Sequence, residues 1–131
     1  MTVELTILAW GCVLAIVHIF AAVRVKTRQY GTEWNMGARD EELPAPHPIV
    51  GRLARAQANF FETFPVMAAA ILTVAIAGRS DVWTEVGAAL WLAMRLLYLP
   101  VYALGIPKLR TAIFLLSVVG IALVLRPVLL P

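Results

Sequence analysis

The sequence predicts an all-α membrane protein, a bundle of four antiparallel transmembrane helices. Of its 131 residues, 61% are hydrophobic and only 15% are charged. A soluble domain is nearer half apolar and a quarter charged. A chain this small has too little interior to hide so much apolar surface from water, so lipid must accept it. The apolar residues also fall into four long runs divided by polar or Pro/Gly-bearing stretches. Backbone in hydrocarbon must satisfy its own hydrogen bonds, and helices do so. This composition excludes an ordinary soluble globule and a disordered chain. The single cysteine, Cys12, excludes an intramolecular disulfide and a cysteine-clustered metal site. No metal and no nucleic-acid partner is expected.

Residues 1–131 form one domain with helices predicted at 5–25, 49–77, 82–104 and 109–129. The first, Leu5 to Val25, is apolar except for Thr6, His18 and, at its end, Arg24, and is long enough to span a bilayer. It is not a cleavable signal peptide: no basic residue precedes it and no small-residue cleavage site follows. The polar stretch from Lys26 to Pro48 contains Pro44, Pro46 and Pro48, which favour an extended linker. The second helix follows, about 29 residues and roughly 43 Å long, with Pro65 predicted to kink it beside Glu62. GRSD makes a tight turn into the third helix, and GIPK breaks the chain before the fourth. Short turns imply an up-and-down bundle.

Charge orients it. Arg24, Lys26, Arg28, Arg39, Arg52, Arg55, Lys108 and Arg110 lie in or beside the first and third loops, against Arg79 and Arg126 on the other side. Eight against two places those loops in the cytoplasm and both termini outside it.

Polar groups at membrane depth are costly and mark function or helix contacts. On the second helix Arg52, Arg55, Asn59 and Glu62 are three, four and three residues apart, one stripe about 80° wide. Gln57 points almost the opposite way. Arg52 suits an interfacial anchor better than Asn59 and Glu62 do. The third helix carries Trp91, Arg95, Tyr98 and Tyr102 on one face. Arg95, deep in its helix, is expected to pair with Glu62, within or between subunits. Arg110 and Thr111 open the fourth helix, where free N–H groups and an arginine favour an anion. His18 is read as a helix-packing hydrogen bonder, and Cys12 as a small packing residue. Arginines, a carboxylate, amides and two tyrosyl hydroxyls suit a small ligand with carboxylates and an amine, such as glutathione.

RAQANFFETFP, Arg55 to Pro65, resembles the signature segment of the MAPEG family, membrane-associated proteins of eicosanoid and glutathione metabolism. RLLYLPVYALGIPKLRT resembles the family's second motif, and NMGARDEE the first loop of its bacterial members. The resemblance implies a homotrimer in a bacterial inner membrane, with glutathione bound as co-substrate between subunits. It implies that Arg55, Gln57, Asn59, Glu62, Tyr98 and Tyr102 bind glutathione, that Arg24 touches it, and that Arg110 activates the thiol. Thr63 and Ala58 stand where eicosanoid-forming members carry a tyrosine and an arginine, which argues against an eicosanoid substrate.

The expected function is a glutathione-dependent transferase or peroxidase acting on lipophilic electrophiles or lipid hydroperoxides. The alternatives are a non-catalytic lipid- or ligand-binding scaffold and a small proton-coupled exporter with Glu62 as its titrating carboxylate. An exporter has no need of the arginine-rich face or the long first loop.

Overall fold

The computed structural model describes residues 1–130; Pro131, the last residue of the predicted domain, lies outside the described residues. The helices are α1 (Val3–Tyr30), α2 (Thr32–Met36), α3 (Pro48–Ala77), α4 (Val82–Ala103) and α5 (Pro107–Leu129). The four long ones are each long and apolar enough to cross a membrane.

α1 starts on Thr2, whose hydroxyl accepts from the Leu5 N–H at 3.3 Å. It runs five residues past Val25, where the sequence placed its end. Hydropathy marks where a helix leaves lipid, not where it stops. Nothing in KTRQY breaks a helix, and the break comes at Gly31, whose φ of +97° suits glycine. The short α2 was not anticipated. It folds back on α1 through Asn35 Nδ2, which donates to Thr27 Oγ1 at 3.0 Å. The proline-bearing linker is extended and tied down at its far end. Gln29 donates to the Ala45 carbonyl and accepts from the His47 N–H, and the Tyr30 hydroxyl donates to the Pro44 carbonyl.

Proline at the first position starts both α3 and α5, where its missing N–H costs nothing. α3 continues as helix through Pro65 and ends at Gly78, in the left-handed region. Asp81 caps α4 in a capping box with Thr84.

α3 and α4 form the centre. Each touches α1, α5 and the other, while α1 and α5 do not meet. α4 and α5 pack most closely, because Gly87 and Gly120 face each other. A Cβ on Gly87 would lie 2.7 Å from the Gly120 carbonyl oxygen, and one on Gly120 2.6 Å from that of Gly87. Small residues allow such backbone approach between membrane helices.

The core runs through Leu14, Phe60, Met67, Ile71, Trp91 and Val124. Trp10, Ile16, Phe20, Leu97 and Leu115 point outward, where lipid takes the place of a packed partner. Cys12 is exposed as well, so within the chain it is not the packing residue expected. His18 is buried and packs as predicted. Its hydrogen bond, however, goes to its own helix, Nδ1 to the Leu14 carbonyl at 2.9 Å, while its ring stacks on Phe60.

Candidate functional site

α3 and α4 run antiparallel, so their polar stripes meet in a regular ladder. Deepest, Arg95 Nη1 donates to Asn59 Oδ1 at 2.8 Å. The Arg95 guanidinium lies between the rings of Tyr98 and Phe60, 4.4 Å and 5.4 Å from their centroids. One turn toward the polar end, Arg55 Nε donates to the Tyr102 hydroxyl at 3.0 Å. Next, Arg52 Nη1 donates to the Ala103 carbonyl at 3.3 Å.

The register corrects one expectation. Within the chain Arg95 pairs with Asn59, not with Glu62. Glu62 lies nearly one further turn along α3, past the level of Arg95, and its side chain is exposed on the outside of the chain.

α5 contributes Arg110 from its first turns. The Arg110 guanidinium lies 4.7 Å from the Tyr102 ring centroid, so Tyr102 sits between Arg110 and Arg55. Two open cavities share Arg110. One, of about 190 Å³, is walled by Arg52, Arg55, Tyr102, Gly105 and Arg110 among others. The other, of about 220 Å³, is walled by Asn59, Tyr98, Arg110, Thr111 and Phe114. No acidic side chain lines either cavity. Three guanidiniums and a phenol hydroxyl around an acid-free cleft form a site for anions, carboxylates and thiolates above all.

The structure thus gathers Arg55, Asn59, Tyr98, Tyr102 and Arg110. It leaves three other sequence candidates apart within one chain. Gln57 is half-buried and lines neither cavity, Glu62 is exposed, and Arg24 is exposed on α1 and lines neither cavity. Among the described residues no cluster of His, Cys, Asp and Glu is placed to hold a metal ion.

Arg52 was read as an anchor, yet it forms part of the cavity wall. The end of α4 explains its position. Ala103 is the last residue of that helix, so its carbonyl has no intrahelical partner. Arg52 takes that carbonyl instead.

A second polar cluster, at the other end of the bundle, was also missed. Glu4 is 1% exposed and accepts from the Thr84 hydroxyl. Asp81 pairs with Arg126, and Arg79 Nη1 donates to the Pro127 carbonyl at 2.8 Å. This cluster ties the ends of α1, α4 and α5 together. Its only sequence signal was an acidic residue at the head of an apolar run.

Kinship accords with this geometry. A family model described as the MAPEG family matches residues 7–128, which takes in every cavity residue named above. The chain belongs to the MAPEG family. No curated protein and no solved structure matches it. The MAPEG family includes glutathione transferases, glutathione peroxidases and eicosanoid-synthesis proteins. MAPEG members generally use glutathione and are often oligomeric. This MAPEG chain is an integral membrane protein with four spanning helices.

Proposed function

We propose that the protein is a glutathione-dependent transferase or peroxidase that works from within the membrane on lipophilic electrophiles or lipid hydroperoxides. The observation that carries this reading is the acid-free cleft walled by Arg52, Arg55 and Arg110, with the Tyr102 ring between the last two. The donor set fits glutathione, since its two carboxylates and its thiolate are all anionic.

Glutathione supplies the nucleophilic sulfur. Arg55 binds a carboxylate, aided by Asn59 and the tyrosyl hydroxyls. Arg110, common to both cavities, holds the thiolate. A guanidinium beside a thiol lowers its pKa from about 8.5 toward neutrality. Each unit of that shift is about 1.4 kcal/mol of preference for the thiolate. Holding the sulfur in place while the acceptor arrives from the lipid supplies much of the remaining rate.

Glu62, Gln57 and Arg24 complete the site in an assembly. On one chain they lie outside the cavities, and a neighbouring subunit of a homotrimer would bring them to the same ligand. The eight-to-two charge bias orients the cleft to the cytoplasm, with both termini outside, in a bacterial inner membrane.

The test is a calorimetric titration of the detergent-solubilised protein with glutathione beside conjugation of chlorodinitrobenzene. Binding with turnover supports the enzyme. Binding without turnover leaves a ligand-binding scaffold, and absence of binding removes the reading.

A further inference from the structure

Arg52 is not a free surface anchor. Its Nη1 is moored to the Ala103 carbonyl at 3.3 Å, which the end of α4 leaves without a backbone donor. Its guanidinium lies against Gly105, where an added Cβ would come within 2.8 Å of Arg52 Cζ. Gly105 has a φ of +73°, so both its conformation and this contact favour glycine. The chain therefore holds Arg52 in place in the wall of the cavity it lines.

The three arginines of that cavity differ in position. Arg110 also lines the inner cavity. The Arg55 Nε–H is engaged by Tyr102. Arg52 is the outermost, one turn before Arg55, or about 4.5 Å nearer the polar end of α3. Glu62 lies ten residues beyond Arg52 on the same stripe, about 15 Å along the axis. The stripe is thus cationic at its outer end and acidic at its inner end. A ligand with an amine at one end and a carboxylate at the other has one favoured direction along it. This inference rests on the glutathione reading above. On that reading Glu62 reaches the ligand from a neighbouring subunit, at the same inner depth, so with the γ-glutamyl amine drawn toward it the glycine carboxylate falls at the outer end.

We propose that Arg52 reads the glycine carboxylate of glutathione and so makes the site select the tripeptide over γ-glutamylcysteine, which lacks it. Glutathione carries three anionic groups as the thiolate, and the cavity wall carries three guanidiniums, one for each.

The experiment titrates the full-length, detergent-solubilised protein with glutathione and with γ-glutamylcysteine, using wild type, Arg52→Gln and Arg52→Lys. A hydrogen bond between charged groups predicts that wild type prefers glutathione by about tenfold or more. Arg52→Gln abolishes that preference by weakening glutathione alone, and Arg52→Lys restores part of it by returning the charge without the planar fork. A loss shared equally by both thiols makes Arg52 a mere tether between α3 and α4 and overturns the proposal. Equal binding of the two thiols by wild type also overturns it, while leaving the glutathione site standing. Failure of wild type to bind either thiol removes both readings. Melting curves accompany each variant. If Arg52→Gln does not fold, wild type and Arg52→Lys decide between these outcomes.

Discussion

Arg95 is 0% exposed and makes one side-chain hydrogen bond, to Asn59; its Nε and Nη2 have no partner among the described residues. A guanidinium in that position depends on its single acceptor and on the flanking rings of Tyr98 and Phe60. Asn59→Leu should therefore destabilise the bundle by about 1.5–3 kcal/mol, the worth of a hydrogen bond to a charged group. Glu62→Gln should cost less than Asn59→Leu, because within the chain Glu62 is exposed and does not bond Arg95. The reverse ranking in thermal melts would restore Glu62 as the partner.

Arg110 carries the chemical prediction at this scale. Arg110→Ala should weaken glutathione binding only modestly and chiefly raise the pKa of the bound thiol. Thiolate absorbance in the ultraviolet, followed against pH, reads that value. Turnover at neutral pH should fall about tenfold for each unit lost and recover in part as the pH is raised. An unchanged thiol pKa would move thiol activation to the Tyr98 or Tyr102 hydroxyl.

Each helix is set by its ends and by one face. Between α4 and α5 the face is glycine. Gly120→Ala gains about 1 kcal/mol of helix propensity but places a Cβ 2.6 Å from the Gly87 oxygen and 2.9 Å from the Trp91 nitrogen. Those are backbone atoms and cannot swing aside. Overpacking of about 1–3 kcal/mol should exceed the propensity gain, so the variant should melt below wild type. At the head of α4 the Asp81 carboxyl is held below the usual carboxylate range, first by the Thr84 N–H, then by that of Trp83 and by the Arg126 guanidinium. Folding thus favours the ionised form. Its contribution is fully present above the unfolded value of about 3.9 and is lost as pH falls through the lower folded value. Asp81→Asn keeps a capping side chain but cannot titrate. Melting curves should show wild type ahead at neutral pH and the gap closing below about pH 4. A gap constant with pH would remove the assignment.

For the whole molecule, the outward faces of the long helices are apolar, whereas Glu62 and Arg24 are polar and exposed. Exposing such groups to lipid is costly, and a neighbouring subunit relieves it. Native mass spectrometry in mild detergent should show three subunits. A stable monomer that binds glutathione with full affinity would contradict the shared site.

The sequence by itself determined the class, the four spanning segments and the two polar stripes. Each of these depends on hydropathy, on Pro and Gly punctuation, or on a 3.6-residue period, and all three are local. It placed Arg55 and Asn59 on one stripe of α3 and Tyr98 and Tyr102 on one of α4, and the ladder joins these stripes. It misjudged the end of α1, because charge at a membrane boundary changes the solvent and not the backbone. Only the tertiary structure decided that within the chain Asn59 and not Glu62 meets Arg95, that Arg52 occupies the carbonyl left free at the end of α4, and that Glu4 reaches Thr84 at the far end. A period fixes the direction in which a residue points around its own helix. It does not fix how far one helix slides along another. That register is set by close packing at sites such as Gly87 and Gly120, and it chooses the partners.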